Sequence, residues 1–138
     1  MTAGHDPHSQ TRASFARGAA ENERDWERLG ALFHEDVTIV HPGIGPVPGR
    51  ESNIAVMQFV IGAVDGYQRS TEGLVAVRDR GAFRFTITGV HTGDLPGYPA
   101  TNLPVDISGA MFIQVNGDCL LEALEMLNHD STRDLSLR

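Results

Sequence analysis

The sequence predicts an α+β fold in which a curved, mostly antiparallel sheet wraps around three N-terminal helices. Three observations carry this expectation. Helical periodicity is confined to the first half of the chain. Strand-like runs crowd the second half, and two of them meet at Asn116-Gly117, a dipeptide that readily supplies the positive φ of a hairpin turn. A chain of 138 residues with 41% hydrophobic content can bury one continuous core. A sheet with one apolar face must cover that face, and the helices are available to do so.

Taken in order, residues 1–8 are small and polar and predict a disordered N-terminus, with His5 and His8 solvated. Residues 9–138 predict a single domain. From Ser9 to Asn22 the pattern fits a helix, with Phe15 and Ala19 at i, i+4 spacing. Asp25 can cap a second helix whose Trp26, Leu29, Leu32 and Phe33 make one apolar face. VTIVH (37–41) follows as a strand rich in β-branched residues. PGIGPVPG (42–49) reads as a loop because of its prolines and glycines. A third helix then carries Ile54, Met57, Phe59, Ile61 and Val64, and Gly66 marks its end. Strands are expected at 74–80, 82–93, 105–115 and 119–127, the first two joined near Arg80-Gly81.

Composition narrows the function. A net charge of −7, with no run of basic residues, argues against nucleic acid and against an anionic membrane surface. Cys119 is the single cysteine and sits in an apolar run, where it reads as a small buried hydrophobe. No signal peptide is expected from MTAGHDPHSQTRA, and IAVMQFVIGAV is too short to span a bilayer, so a cytoplasmic protein is expected. All the positive charge is arginine, as in proteins of GC-rich bacteria. No phosphate loop, nucleophile elbow or metal-ligand spacing is present, so no cofactor and no metal are expected.

A long sheet curling around helices leaves a conical cavity, a natural pocket for a small hydrophobic or aromatic substrate. Its expected lining is Trp26, Met57, Phe59, Phe83, Phe85, Phe112 and Met126, with Gln114 and Asp106 at the rim. His41 ends a strand just before a proline-glycine loop. An imidazole there can act as a base near neutrality or simply bond a loop carbonyl. His91 shares a strand face with Phe83, Phe85, Ile87 and Gly89, which puts it at the cavity rim. It reads first as bonding the Thr92–Asp94 turn and second as touching ligand. On the last strand, strict alternation groups Leu120, Glu122, Leu124, Met126 and Asn128. If that set faces the cavity, Glu122 is its acid; it reads first as an exposed or salt-bridged residue near the hairpin. The apolar residues on the other face would then pack against a second subunit as a homodimer.

The stretch GVHTGDLPGYPAT (89–101) resembles the signature of the SnoaL-like polyketide cyclase family, within the nuclear transport factor 2-like superfamily. Gly89, His91, Thr92, Gly93, Leu95, Gly97, Pro99, Thr101 and Val105 match its pattern, and so does the run LGALFHEDVTIVHPGIGPVPGRES. The likeness spans about residues 10–130. It implies a helix-lined cone, a role in bacterial secondary metabolism such as antibiotic biosynthesis, and cofactor-free acid/base cyclisation or isomerisation.

Asn102-Leu103 stands where the family has Gly-Arg. The family's late acid/base aspartate falls on Leu127, Asn128 or Asp130, depending on the gap after Gly117. At Asn128 it would become a hydrogen-bond donor to a substrate carbonyl. In the related ketosteroid isomerases the general-base aspartate matches His41, and their partner acid falls near Ser108 or Gly109. The resemblance therefore implies His41 as base, with Asn128 or Glu122 as its partner. It also leaves open an isomerase-, lyase-, dehydratase- or epoxide-hydrolase-type enzyme, or a non-catalytic binding or complex-stabilising domain.

Overall fold

The computed structural model describes residues 10–128. The expected disordered terminus at 1–8, and Asp130, lie outside them. Helix α1 begins as a π-helical segment, Arg12–Ala16, and runs on as Arg17–Asn22. Helix α2 is Trp26–Leu32 and α3 is Arg50–Gly62. The strands are β1 (Phe33–His41), β2 (Gly45–Pro48), β3 (Val64–Val77), β4 (Arg80–His91), β5 (Pro104–Asn116) and β6 (Cys119–Leu127). They form one six-stranded sheet in the order β2-β1-β6-β5-β4-β3, antiparallel throughout except where β1 runs parallel to β6. The expected nuclear transport factor 2-like architecture is therefore present, with the helices on the concave face.

Alternation along the strands selects what that face buries. Phe83, Phe85 and Ile87 of β4 oppose Met111, Gly109 and Ile107 of β5, and all five side chains other than the glycine are buried. Val37 and Ile39 of β1 join them, with Leu29 and Leu32 of α2 and Met57 and Ile61 of α3 packed above. Gly109 must be a glycine: a Cβ there would lie 2.6 Å from the Phe85 ring. The partner-acid position of the isomerases therefore has no room for an acid at residue 109.

Several boundaries differ from expectation for identifiable reasons. Residues 45–48 are a strand rather than loop, paired with Thr38–His41. Proline is tolerated there because β2 is an edge strand, bonded on one side only. Phe33 is the first residue of β1 rather than the last of a helix face. Helix α3 stops at Gly62, and Gly66 (φ 68°) lies inside β3, within the register break between Asp65 and Gln68. The strand expected at 74–80 begins ten residues earlier, at Val64. Its inward residues include Arg69 and Thr71, so apolar alternation could not reveal it. The β3–β4 turn is at Arg78–Asp79, with Arg78 at φ 58°, two residues before the expected place.

Helix α1 also turns a different face inward. Phe15 is exposed, while Ala13, Arg17, Ala20 and Glu21 are buried. The Asn22 side chain fastens this helix to β3, since Nδ2 donates to the Arg69 carbonyl (2.8 Å) and Oδ1 accepts from the Arg69 N–H (2.6 Å). Among the described residues, no helix is long and apolar enough to cross a membrane.

Candidate functional site

The concave face has two ends with different chemistry. Deep among the helices lies a charged cluster. Arg17 Nε donates to Glu21 Oε2 at 2.8 Å, and both side chains are almost wholly buried. Arg69 Nη1 lies 3.6 Å from Glu21 Oε1 and 3.3 Å from Glu125 Oε1. The Tyr67 hydroxyl donates to Glu21 Oε1 at 2.8 Å. Burial alone would raise the Glu21 pKa, but Arg69, Arg17 and the Tyr67 hydroxyl outweigh it and hold the carboxyl below its usual range. Burial and the adjacent Glu21 carboxylate push the Tyr67 phenol well above its ordinary value, so it remains a donor. The guanidinium of Arg69 also stacks on Phe85, 4.1 Å from the ring centroid.

The other end opens into a cavity of about 430 Å³, within the range that encloses small organic ligands. Its wall is mostly apolar, with Val60, Val64, Ile87, Ile107 and Leu127 prominent, and its mouth is formed by 42–44 and 95–98. Four polar side chains line it: His41, Tyr67, Tyr98 and Glu125. The mouth turn is self-supporting, because Leu95 and Tyr98 exchange backbone hydrogen bonds (2.9 and 2.8 Å) and Asp94 Oδ1 accepts from the Ala100 N–H.

His41 is buried at the end of β1, and its Nε2 lies 2.7 Å from Asn53 Oδ1. The Asn53 amide is fixed by its other contacts, since Nδ2 donates to the Val47 and Gly49 carbonyls at 2.8 and 2.7 Å. Oδ1 must therefore accept, so the neutral imidazole carries its proton on Nε2 and its lone pair on Nδ1. Burial lowers the His41 pKa, as does the Arg17 charge, while the Asn53 bond and the Glu125 and Glu21 charges partly oppose them. The net result is a neutral, basic imidazole near pH 7.

The last strand departs from strict alternation. Gln114 pairs with Glu122 and Val115 with Leu120, which leaves Leu121 as an extra residue, a β-bulge. The bulge resets the phase, so Leu120, Ala123, Glu125 and Leu127 point to the concave side. This corrects the expectation for Glu122, which is exposed on the convex face next to Gln114. Asn128 is likewise exposed just beyond β6, its N–H bonded to the Ser108 carbonyl at 2.8 Å. The carboxylate that reaches the cavity is Glu125, which strict alternation grouped on the other face. Of the positions matching the family's aspartate, Leu127 lines the cavity and Asn128 does not, while Asp130 lies outside the described residues.

The expected lining residues divide in the same way. Met126 contributes to the cavity's edge between Glu125 and Leu127, but it is half exposed on the convex side. Met57, Phe83 and Phe85 are core residues around the charged cluster, and Trp26 is half-buried against the core. Phe59 is exposed because α3 buries Asn53, Met57 and Ile61, four residues apart, and Phe59 falls between them. Phe112 is exposed on the convex face. Gln114, also on that face, donates to Asp79 Oδ2 at 3.2 Å. Asp106 pairs with Thr88 on β4 and is exposed.

His91 is fully buried at the corner where 91–103 leaves and rejoins the sheet. Its N–H donates to the Leu103 carbonyl, its carbonyl accepts from Asn102, and Nδ1 lies 3.3 Å from Thr101 Oγ1. Its side-chain partner is thus on the returning limb rather than in the Thr92–Asp94 turn. Among the described residues, no cluster of His, Cys, Asp and Glu could hold a metal ion.

A family profile described as a SnoaL-like domain matches residues 12–122. No curated protein sequence matches the chain. Among solved structures, TsrD from Streptomyces laurentii superposes with a TM-score of 0.81 at 18% identity, over 96% of this chain and 97% of that one. IdmH from Streptomyces antibioticus, a proposed polyketide cyclase, gives 0.74 at 23% identity over 91% and 95%. A protein of ketosteroid isomerase-like fold from Catenulispora acidiphila, in complex with trimethylamine, gives 0.71 at 20% identity over 88% and 89%. At these identities the likeness establishes the shared fold.

Proposed function

Since the chain belongs to the SnoaL-like family, we propose that it is an acid/base enzyme that needs no cofactor. It would cyclise or isomerise a small hydrophobic, polyketide-like molecule held in the cavity. The observation that carries this reading is His41: a buried imidazole on the cavity wall, its tautomer set by Asn53, with Nδ1 left as the basic nitrogen. In this reading Nδ1 takes a proton from an acidic C–H of the substrate. The imidazolium so formed is stabilised by Asn53 Oδ1 and by the Glu125 charge. Apolar walls exclude water and hold the carbon framework. A cytoplasmic place in secondary metabolism belongs to the same reading.

The test is hydrogen–deuterium exchange at the acidic carbon of an aromatic β-keto ester in D₂O, followed by NMR against a buffer blank. Exchange above background in the wild type, lost in His41→Gln, is the expected result. Exchange unaffected by that substitution would remove His41 from the role. A second reading, a non-catalytic binding domain, is favoured by Leu127 occupying the cavity at one position of the family aspartate. It predicts ligand binding without exchange.

The assembly in this reading is a homodimer through the convex sheet face. Phe112, Leu124 and Met126 are 52%, 41% and 53% exposed there and lie on the neighbouring strands β5 and β6. A clean monomer by light scattering at micromolar concentration would count against it.

A further inference from the structure

We infer that Glu125 determines the polarity of the ligand, admitting a neutral hydroxyl that donates to its carboxylate and turning away ligands that carry a carboxylate of their own. This rests on the reading of the cavity as a small-molecule site. Several polar atoms on the cavity wall are already committed to protein partners. The Tyr67 O–H is spent on Glu21, and the His41 N–H is spent on Asn53. Glu125 Oε1 takes the Arg69 bond, whereas Oε2 has no hydrogen-bond partner among the described residues. The groups left for a ligand are thus two acceptors, His41 Nδ1 and Glu125 Oε2, and one phenol at the mouth turn, Tyr98.

The arginines do not change this inventory. Arg69 and Arg17 are buried and do not line the cavity; Arg17 Nη1 and Arg69 Nη2 point to the Met111 sulfur, and Arg17 Nη2 to the Met57 sulfur. A ligand carboxylate would therefore meet two acceptors where it needs donors, with only the Tyr98 hydroxyl at the mouth to donate to it, beside a carboxylate already in place. A ligand cation is also poorly matched. Two guanidiniums and two carboxylates already balance in the Arg17–Glu21–Arg69–Glu125 cluster, leaving no net charge to replace the cation's lost hydration. A hydroxyl or phenol supplies the missing donor at the least desolvation cost.

The test uses four probes sharing one ring system, titrated calorimetrically at pH 7: 2-naphthol, 2-methoxynaphthalene, 2-naphthoate and 2-naphthylmethylammonium. The expected order has 2-naphthol tightest and its methyl ether weaker by about tenfold or more, the scale of one hydrogen bond to a charged acceptor. Naphthoate and the ammonium ion come below the ether. In Glu125→Gln the naphthol advantage over its ether shrinks, and naphthoate gains relative to both, because the amide offers an N–H. Equal binding of naphthol and ether in the wild type, or naphthoate binding as well as naphthol, overturns the inference while leaving the apolar cavity intact. So does an unchanged order in a folded Glu125→Gln. Failure of all four to bind overturns both the inference and the small-molecule reading. If Glu125→Gln does not fold, the wild-type order decides alone.

Discussion

The concave face of the sheet holds charged groups at both ends, and they are handled in opposite ways. At the helix-covered end, Arg17, Glu21 and Arg69 are sealed from water and spend their charge on one another, with Tyr67 and two methionine sulfurs completing the contacts. At the open end, His41 and Glu125 are each tied by one atom among the described residues. Asn53 holds Nε2 and Arg69 holds Oε1, while the second nitrogen and the second oxygen remain uncommitted. A buried charge that is fully paired maintains the shape of a site, whereas one that is half paired can act on a ligand. The two ends share a residue, since Arg69 bonds to both Glu21 and Glu125, so the cluster also aims the cavity carboxylate.

The largest effect should come from breaking the sealed end. Glu21→Gln leaves Arg17 and Arg69 without the carboxylate between them, and a buried pair broken from one side costs about 3–5 kcal/mol. Urea or thermal denaturation should show this as a large loss of stability. If Glu21→Gln is as stable as the wild type, the paired end is not holding the cone together.

At the open end the effects should fall on activity. His41→Gln can still offer an N–H to Asn53 but has no basic nitrogen, and positioned bases typically contribute about 10²–10⁴-fold in rate. The exchange assay should fall by that scale while the melting temperature near pH 7 changes little. The lowered pKa of His41 also fixes a pH dependence of stability. The unfolded histidine titrates near 6.5 and the folded one below it. Between those values the unfolded chain holds a proton that the folded chain does not. His41's contribution is thus fully present above about pH 6.5 and is lost as pH falls through the folded value. The same titration should appear as the acid limb of the exchange rate. Asn53→Ala removes an interaction that raises the His41 pKa, so the limb should move to lower pH. It should also cost about 1–3 kcal/mol of stability, because the Val47 and Gly49 carbonyls lose their donor. A limb that stays in place would dissociate it from His41.

The contrast between the two ends also explains what could be foreseen from sequence. The fold was legible because apolar alternation on β4 and β5 and the Asn116-Gly117 signal are local patterns, and one sheet with three helices has few ways to close. His41 was legible for a similar reason: a histidine at a strand end before Pro42 must face a loop or a cavity. Glu125 was not, because one extra residue at Leu121 inverts the phase of everything after it, and a Leu-Leu pair carries no mark of a bulge. The sealed cluster was hidden for another reason. Charged residues on a helix ordinarily face water, so Phe15 rather than Arg17 and Glu21 drew the inward face of α1. Only the pairing of Glu21 with Arg69, forty-eight positions away on a strand broken by glycines, makes their burial possible.

The smallest effect concerns the convex side of the same strands, where the bulge sends Glu122, Leu124 and Met126. Phe112→Ser replaces an exposed ring, and in an isolated subunit such surface changes stay within about 0.5 kcal/mol. If that face is covered by a second copy, the substitution removes a central apolar contact from both subunits at once. Light scattering should then show dissociation at micromolar concentration, and the melting temperature should acquire a steeper dependence on protein concentration. His41 and Glu125 lie on the opposite face, so per-subunit exchange activity should survive. Loss of activity together with the dimer would mean that the cavity depends on the partner, and the two faces of the sheet could no longer be treated as independent. An unchanged oligomeric state would instead locate any subunit contact away from Phe112.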